Sequence, residues 1–239
     1  MPRDPVKSAN RVLAALPGAV YERLQKHLEP VPLPLGASVY EAGMQPKHVL
    51  FPTTGIISLL QVVESGASTE VAVVGSEGVV GFPVYMGGES TTSRAIVQST
   101  GSAARLPATA IHAELKRNGD LSKQLLRYTQ ALMTQMAQNA VCYRHHSIDK
   151  QLCRWLLMSL DRLKSLEVMM TQEMIANMLG VRREGVTEAA GKLQAAGLID
   201  YSRGRIMIRD RAGLEARVCE CYGVISREYR RLGFNGNGA

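Results

Sequence analysis

Residues 171–193, TQEMIANMLGVRREGVTEAAGKL, restrict the possible folds of this chain more than any other segment. One straight helix cannot place all their apolar positions on a single face, whereas two short helices crossing at a bend can. These positions are Ile175, Leu179, Val181, Val186 and Ala189. Ala176 is small enough for the helices to touch, and Gly180 can adopt the left-handed backbone of the turn. The spacing predicts a helix-turn-helix that binds DNA, with an ordinary helical hairpin in a packed core as the alternative.

Polar and basic residues occupy the positions of this motif that would face DNA. The second helix is predicted to begin at residues 182–184, Arg-Arg-Glu, and that end of a recognition helix meets base edges in the major groove. Thr171 is placed to cap the first helix, where free backbone N–H groups can hold a phosphate. Residues 199–208, IDYSRGRIMI, alternate about a central Arg-Gly and predict a hairpin wing. The expected DNA contacts are Thr171, Gln172, Arg182, Arg183, Glu184, Thr187, Glu188, Lys192, Arg203 and Arg205.

Length and charge agree with a DNA-binding protein of two domains. A chain of 239 residues is long enough for two domains with separate cores. Its 46% apolar and 21% charged residues are typical of a globular protein, and its net charge of +7 favours a polyanionic partner. Seven basic residues fall within residues 182–211, over the predicted motif and wing. Phosphate contact explains this cluster better than surface solvation alone.

The sequence predicts neither a targeting segment nor a membrane segment. The first ten residues lack the apolar core of a signal peptide. The most apolar run, residues 49–63, contains Pro52 and Gly55 and is too short to span a bilayer. We therefore expect a cytoplasmic protein without a membrane partner.

The cysteines predict reduced thiols rather than disulfides or a metal site. They are Cys142, Cys153, Cys219 and Cys221. No pair has Cys-x-x-Cys spacing, and the single residue inside the Cys-Glu-Cys of residues 219–221 is fewer than the two to four usual at zinc sites. No metal or cofactor is therefore expected. The pair His145-His146 lies where the long helix should meet the DNA-binding part, and a sensing role for it or for a cysteine stays open.

The first half of the chain predicts a sandwich or barrel of short strands. From about residue 33 to residue 106, β-rich runs are separated by Gly, Ser and Pro turns, a spacing typical of these folds. The runs are VYEAG, VLFPTTGIISLLQVV, TEVAVVG, VVGFPVYMG and SRAIVQSTGSAARL. An amphipathic helix over residues 10–28, interrupted at residues 16–18, is predicted before them. The final GFNGNGA is expected to be disordered.

A long helix over residues 120–143 is predicted to carry two apolar stripes. One stripe, with steps of three and four residues, predicts a coiled-coil seam between two copies of the chain. It consists of Leu126, Thr129, Met133, Met136, Ala140 and Tyr143. The other could cover the chain's own barrel, and consists of Leu121, Leu125, Tyr128 and Leu132. Two apolar faces favour a homodimer, and burial of the helix within one subunit is the alternative.

The order of these elements resembles the Crp/Fnr family of bacterial transcription regulators, from about residue 13 to residue 215. The resemblance is most specific in TQEMIANMLGVRREGVTEAAGKLQAAGLIDYSRGRIMI, where the family has a helix-turn-helix followed by a wing. It implies an α+β fold with a jelly-roll-like β-roll at residues 1–118, a dimerisation helix at 119–146 and a winged helix-turn-helix at 147–239. It further implies a homodimer that regulates transcription by binding an imperfectly palindromic DNA site, with RNA polymerase as a further partner.

Within this resemblance, Arg183 and Glu184 fall on the Arg-Glu pair with which the family reads bases. Arg suits the O6 and N7 atoms of guanine, and Glu can accept a hydrogen bond from N4 of cytosine. Glu188 stands where the cyclic-AMP receptor has a further basic reader. The resemblance therefore implies an operator that differs from that receptor's site at the corresponding base pair.

The effector site departs from the pattern of the family's cyclic-nucleotide binders, which use Gly-Glu for the ribose and Arg-Ser-Ala for the cyclic phosphate. Here the first position is Gly81-Phe82 and the second is Ser93-Arg94-Ala95. Because neighbouring strand residues point to opposite faces, this exchange should turn the guanidinium out of the pocket. The candidate pocket residues are Gly81, Phe82, Tyr85, Ser93 and Arg94. We expect another effector or none, with a cyclic-nucleotide-responsive regulator as the alternative.

No sequence pattern predicts an enzyme. The chain has no phosphate-binding Walker loop, no Gly-x-Ser-x-Gly and no His-Glu-x-x-His. A second alternative is a regulatory module whose helical tail binds a protein instead of DNA. A test of sequence-specific DNA binding distinguishes the two.

Overall fold

Glycine and proline turns divide the first part of the chain into antiparallel strands. The computed structural model describes residues 4–88, 90–117 and 119–234, and the following bounds refer to these. The strands are β1 (Glu29–Leu33), β2 (Ser38–Tyr40), β3 (His48–Val62), β4 (Ser68–Val74) and β5 (Arg94–Pro107). They form a sheet in the order β1-β5-β3-β4, with β2 also paired to β5. Irregular register between β3 and β5 surrounds Gly55, where a Cβ atom would lie 2.5 Å from the carbonyl oxygen of Ser99. The sheet can curl there because this residue is glycine.

Three short helices precede the barrel: α1 (Pro5–Ala9), α2 (Arg11–Ala14) and α3 (Gly18–Gln25). The break before α3 lies at Pro17, as the sequence predicts. Asn10 caps α2, and its side-chain amide donates to the carbonyl oxygens of Pro52 and Gly78 at 2.9 and 2.8 Å. This fully buried amide therefore attaches the helices to the barrel.

Two predictions about the barrel strands were wrong. Residues 79–87 were predicted to form a strand, but they contain helix α4 (Phe82–Met86). Gly81 and Gly87 flank it with left-handed backbone, and Pro83 lacks the N–H that a strand would use. Strand β1 was missed because its two prolines weaken the strand pattern. They are tolerated because β1 lies at the edge of the sheet.

Helices α5 (Ala108–Leu115) and α6 (Asp120–His145) follow the barrel, and α6 covers it. The second predicted stripe of α6 is buried, as expected, and comprises Leu121, Leu125, Tyr128 and Leu132. A Cβ atom at Gly78 would collide with the Tyr128 ring, so the close approach of helix and barrel requires glycine there. None of the helices that the structure describes combines the length and the apolar character needed to cross a bilayer.

The second part of the chain is a winged helix-turn-helix domain, as the sequence predicts. Its elements are α7 (Ile148–Leu160), β6 (Glu167–Met169), α8 (Gln172–Leu179), α9 (Arg183–Ala195), β7 (Ile199–Ser202), β8 (Arg205–Ile208) and α10 (Arg211–Arg217). The strands form an antiparallel sheet in the order β6-β8-β7. Trp155 of α7 is the largest buried side chain of this domain's core, which also contains Ile175 of α8 and Val186 of α9. The predicted apolar spacing thus packs two crossed helices against a third.

The last helix, α11 (Glu220–Arg231), returns to the first part of the molecule. It packs along α6, and its Ile225 and Tyr229 belong to the core that contains the barrel. Phe234 is also buried there, with its ring centroid 5.6 Å from that of Tyr128. The prediction of a disordered GFNGNGA tail is therefore wrong at Gly233 and Phe234, and residues 235–239 lie outside the described residues. The division at residue 147 stays a prediction, but α11 packs with the first core.

A network of buried polar groups joins the barrel to α7. Glu70 of β4 accepts a 2.5 Å hydrogen bond from Ser58, and Gln98 of β5 donates to Ser159 of α7 at 3.4 Å. Arg162 donates to the buried carboxylate of Glu77 at 2.7 Å. Loss of hydration raises the pKa of the Glu70 carboxyl to about 7, although its hydrogen bond from Ser58 opposes this shift. The two parts of the molecule therefore meet through paired and hydrogen-bonded groups.

Candidate nucleic-acid interface and barrel slot

The turn of the helix-turn-helix has the geometry that its sequence predicts. Thr171 caps α8, and its hydroxyl accepts a 3.3 Å hydrogen bond from the N–H of Met174. A glutamate at residue 174 would complete the reciprocal cap, so this cap is half of a capping box. Gly180 ends the helix with a φ of 66°. A Cβ atom there would lie 2.5 Å from the Thr69 hydroxyl, so glycine also lets the turn approach the barrel.

Helix α9 is amphipathic, with one face in the core and the other exposed. The buried face comprises Val186, Ala189, Ala190 and Leu193. At the start of the helix, Arg182, Arg183 and Glu184 are exposed. Among the residues that the structure describes, neither arginine forms an ion pair. The helix therefore presents free guanidinium groups and a carboxylate at the end where a recognition helix meets DNA.

Other predicted contacts on the helix-turn-helix are engaged with one another. The hydroxyl of Thr187 donates to the Gln172 side chain at 2.8 Å, which bridges α8 and α9. Lys192 and Glu188 form a 2.7 Å ion pair along α9. All of these side chains except Gln172 are exposed, and Gln172 is half-buried. Exposed pairs of this kind contribute little stability and can be exchanged for contacts with phosphate.

The wing turns at Arg203 and Gly204, which have φ values of 48° and 77°. Two left-handed residues are typical of the tight turn that suits the twist of a hairpin. Arg203 is exposed at the tip, whereas the Nε and Nη2 atoms of Arg205 donate to Glu167 at 2.6 and 3.0 Å. Arg205 is thus paired within the sheet, although its side chain is 58% exposed. The DNA contacts of Arg203 and Arg205 stay predictions, and Arg203 is the one without an ion pair among the described residues.

The two glycines inside α9 have different surroundings. A Cβ atom at Gly185 would lie 2.6 Å from Cδ1 of Ile148, at the start of α7. At Gly191 a Cβ atom would have no neighbour within 4 Å among the described residues. Close packing of α7 therefore accounts for the first glycine, and nothing in the structure explains the second.

The residues of the predicted effector pocket are occupied by contacts within the chain. Phe82 packs against the core, and the Tyr85 hydroxyl lies 3.2 Å from that of Thr129 on α6. Ser93 is buried beside Thr91, with 3.0 Å between their hydroxyl oxygens. Arg94 is half-buried, and its Nε atom lies 3.1 Å from the Glu41 carboxylate. Serine and arginine thus have different environments, as strand alternation predicts.

A cavity of about 440 Å³ lies elsewhere in the barrel, among β1, β2, β3 and the segment that follows β2. Its walls include Val31, Tyr40, Met44 and His48. None of the five predicted pocket residues lines it. The structure therefore separates the largely apolar space near β1 from the positions compared with a nucleotide site.

The exposed stripe of α6 differs in register from the predicted seam. Thr129 is buried, and the Tyr143 hydroxyl donates to the Glu70 carbonyl oxygen at 2.7 Å, so both face their own chain. Met136 also packs partly on the core. Six exposed residues along one side of α6 are here called the α6 stripe: Leu126, Gln130, Met133, Ala137, Ala140 and Val141. Spacings of four and three residues could have identified this register.

Comparisons with known proteins agree with both parts of the fold. Residues 30–118 match the family model of the cyclic nucleotide-binding domain, and residues 150–217 match that of the Crp-like helix-turn-helix domain. A comparison with curated protein sequences gives no match.

Several solved structures share the whole architecture. A transcriptional regulator of the Crp/Fnr family from Eubacterium rectale is 20% identical, with 87% of this chain and 98% of that chain covered and a TM-score of 0.66. FixK2 from Bradyrhizobium japonicum is 15% identical, with 80% and 98% covered and a TM-score of 0.67. The c-di-GMP responsive regulator CLP from Xanthomonas campestris is 13% identical, with 81% and 100% covered and a TM-score of 0.64. At these identities the structures establish the fold.

Proposed function

Because this chain belongs to the Crp/Fnr family of transcription regulators, we propose that it binds a specific DNA operator as a homodimer and regulates transcription there. One observation carries the proposal. Arg183 and Glu184, at the start of α9, are exposed and form no ion pair with the described residues, and the opposite face of the helix is apolar and buried. Exposed charges are common on surface helices, so the proposal depends on their position at the end of the helix that meets base edges in helix-turn-helix proteins. No catalytic role is proposed.

The first turn of α9 has the chemistry to specify bases. Arg183 can donate two parallel hydrogen bonds to guanine, and Glu184 can accept one from cytosine. Glu188, further along the helix, is paired with Lys192, and we expect it to prefer a different base pair from the one that a basic residue would read there. Arg182, Arg203 and the free N–H groups of α8 at Thr171 are proposed to position the protein on the backbone.

The α6 stripe supports the homodimer. Leu126 and Met133 are 67% and 62% exposed, an unusual state for two large apolar side chains on one helix face. Pairing this stripe with its copy would bury both and place two recognition helices on one face of the dimer. Such dimers read half-sites separated by about 34 Å, one turn of DNA.

The barrel is proposed to respond to something other than cyclic AMP or cyclic GMP, or to nothing. Phe82 offers no acceptor for ribose hydroxyls, and the Arg94 guanidinium lies beside Glu41. Without a bidentate arginine, a cyclic phosphate would lose its strongest partner. The cavity lined by Val31, Tyr40 and Met44 suits a more apolar small molecule. RNA polymerase in the cytoplasm is the further partner expected of a transcription regulator.

Selection of binding sites from random double-stranded DNA tests the proposal, together with sedimentation of the free protein. We expect enrichment of an imperfect palindrome and a mass of two chains. Replacing Leu126 and Met133 with glutamate should yield monomers. Replacing Leu166, which is 57% exposed and lies outside α6, with glutamate should leave the dimer intact. A wild-type monomer that enriches no sequence would contradict the proposal and favour a module that binds protein.

A further inference from the structure

Four metal-binding side chains that are distant in sequence meet where α6 ends. Cys142 and His146 lie one helical turn apart at the end of α6, and Cys219 and Cys221 lie at the start of α11. Their candidate ligand atoms all lie within 4.8 Å of one another. The three cysteines are buried and the side chain of His146 is 13% exposed. Local spacing in the sequence does not reveal this cluster, because it joins residues more than seventy positions apart.

The distances within the cluster fit one tetrahedral ion. The Sγ atoms of Cys142 and Cys219 are 3.6 Å apart, and Sγ of Cys221 is 3.7 Å from Nδ1 of His146. Around Zn²⁺ with bonds of about 2.3 Å to sulfur and 2.0 Å to nitrogen, the corresponding edges are about 3.8 and 3.5 Å. A disulfide would need about 2.05 Å between sulfurs. A cluster of several irons would hold its ligands further apart than one shared ion does.

The neighbouring residues complete the arrangement that metal ligands need. Nε2 of His146 lies 3.3 Å from the carboxylate of Glu220, which would orient the ring with Nδ1 toward the cluster. Nε of the buried Arg154 donates to Sγ of Cys142 at 3.2 Å. Its positive charge would offset the excess negative charge of three thiolates around a divalent ion.

We propose that Cys142, His146, Cys219 and Cys221 bind one Zn²⁺ ion. The three thiols release their protons to solvent as the thiolates coordinate the ion, and neutral His146 supplies the fourth ligand through Nδ1. Three sulfurs and one imidazole form a closed set typical of structural zinc. The one-residue gap between Cys219 and Cys221 is not an obstacle, because the other two ligands come from a different helix.

The position of the ion gives it a mechanical role. The chain leaves α6 at His146, forms the winged domain and returns at Cys219, so the ion would close this loop at its base. Metal would hold the end of the dimerisation helix against α11 on both sides of the DNA-binding domain. Its loss should loosen the orientation of that domain, a consequence that rests on the proposed DNA binding. Metal binding itself does not depend on that function.

The test measures metal in the full-length protein purified under reducing conditions. We expect one zinc ion per chain in the wild type and in Cys153→Ser, which alters a buried cysteine outside the cluster. Cys142→Ser and Cys219→Ser should lose it. Titration of the metal-free protein with Co²⁺ should give the absorption bands of tetrahedral cobalt bound to thiolate, and the same two variants should lack them.

His146→Ala keeps the test valid if the cysteine variants do not fold, because this half-buried side chain can be removed with less damage to the core. Its cobalt spectrum should change, since one ligand is lost. The proposal is overturned if the folded wild type holds no metal and shows no cobalt bands. It is also overturned if Cys142→Ser keeps its full metal content, or if a disulfide between Cys142 and Cys219 forms in place of metal binding.

Discussion

Charged side chains have opposite surroundings at the junction between the two parts and on helix α9. At the junction Glu70, Glu77 and Arg162 are at most 6% exposed, and each has a hydrogen-bonding partner within the chain. On α9, Arg183 and Glu184 are exposed and do not pair with other described residues. Burying an ion is costly unless it is paired, so the Glu77–Arg162 pair helps to fix how the two parts fit together, and Glu70 is held by its hydrogen bond from Ser58. The charges on α9 stay available to an external polyanion.

The same contrast separates the two candidate binding sites. At the predicted effector pocket, Phe82, Ser93 and Arg94 all make contacts with other residues of the chain. In the helix-turn-helix, the apolar positions pack in the core, whereas Arg183 and Glu184 are exposed and form no ion pair with the described residues. We therefore expect the helix-turn-helix to bind DNA and the barrel not to bind a cyclic nucleotide.

The largest expected effect is on the pH dependence of stability through Glu70. Because its pKa is about 7 in the folded protein and ordinarily 4.5, the folded state binds the proton more tightly. Its contribution to stability is therefore complete below pH 4.5 and is lost as the pH rises through 7. The unfolding free energy of the wild type relative to Glu70→Gln should fall by roughly 3 kcal/mol between pH 4 and pH 8.

Denaturant titrations across this range measure the effect. Glu64→Gln, at an exposed glutamate of the β3–β4 turn, is the matched control and should stay within about 0.5 kcal/mol of the wild type. A difference between wild type and Glu70→Gln that does not vary with pH would show that this carboxyl is not held neutral at the junction.

The next effect concerns base reading by Arg183. Arg183→Ala should weaken operator binding by about 1–3 kcal/mol and relax the preference at one base pair, while leaving stability unchanged. Arg203→Ala should weaken binding to all sequences alike and reduce the salt dependence, because a phosphate contact releases counterions. Binding assays at several salt concentrations distinguish these outcomes. Equal losses on operator and random DNA for Arg183→Ala would mean that α9 docks differently.

A smaller effect compares the two glycines of α9. Gly191→Ala should stabilise the protein by about 1 kcal/mol, because alanine favours the helix and the added methyl group would have no described atom within 4 Å. Gly185→Ala should stabilise it less, since the side chain of Ile148 has to move. Thermal or denaturant unfolding measures both. Equal gains would show that contact with α7 does not constrain this position.

The smallest expected effect is that of cyclic nucleotides on the barrel. A ligand that binds only the folded state stabilises it by roughly 2.7 kcal/mol at a hundred times its dissociation constant. We expect millimolar cyclic AMP or cyclic GMP to leave the melting temperature unchanged. A rise that Arg94→Ala abolishes would show that this side chain can leave Glu41 and bind the phosphate.

Local patterns predicted much of this fold. The errors at β1 and α4 have local causes, prolines and left-handed glycines, and the remaining errors involve distant partners. The helix-turn-helix and wing depend on spacing within forty residues and on glycines such as Gly180 and Gly204, so the sequence was sufficient. The predicted seam is wrong at Thr129. This residue lies close to the α6 stripe on the helix surface, but it is buried and its hydroxyl contacts that of Tyr85 in the same chain. Apolar spacing along one helix does not reveal which stripe its own chain covers.

The burial of Phe234 and the proximity of the three cysteines to His146 could not be predicted for the same reason. A glycine-rich tail gave no sign that its phenylalanine packs against Tyr128, more than a hundred residues earlier. Cys142 and His146 have the one-turn spacing of two ligands on a helix, and this signal could have been noticed. Only the return of α11 to α6 brings the other cysteines beside them.

The central claim is that the free charges on α9 read a DNA sequence, and the ratio of two affinities tests it most directly. Binding of the wild-type protein to its selected operator is compared with binding to a scrambled duplex of equal length at physiological salt. We expect binding at least about 10³-fold tighter to the operator, as is typical of specific DNA-binding proteins. A ratio near one would mean that the basic surface only attracts phosphate and that α9 does not read the sequence.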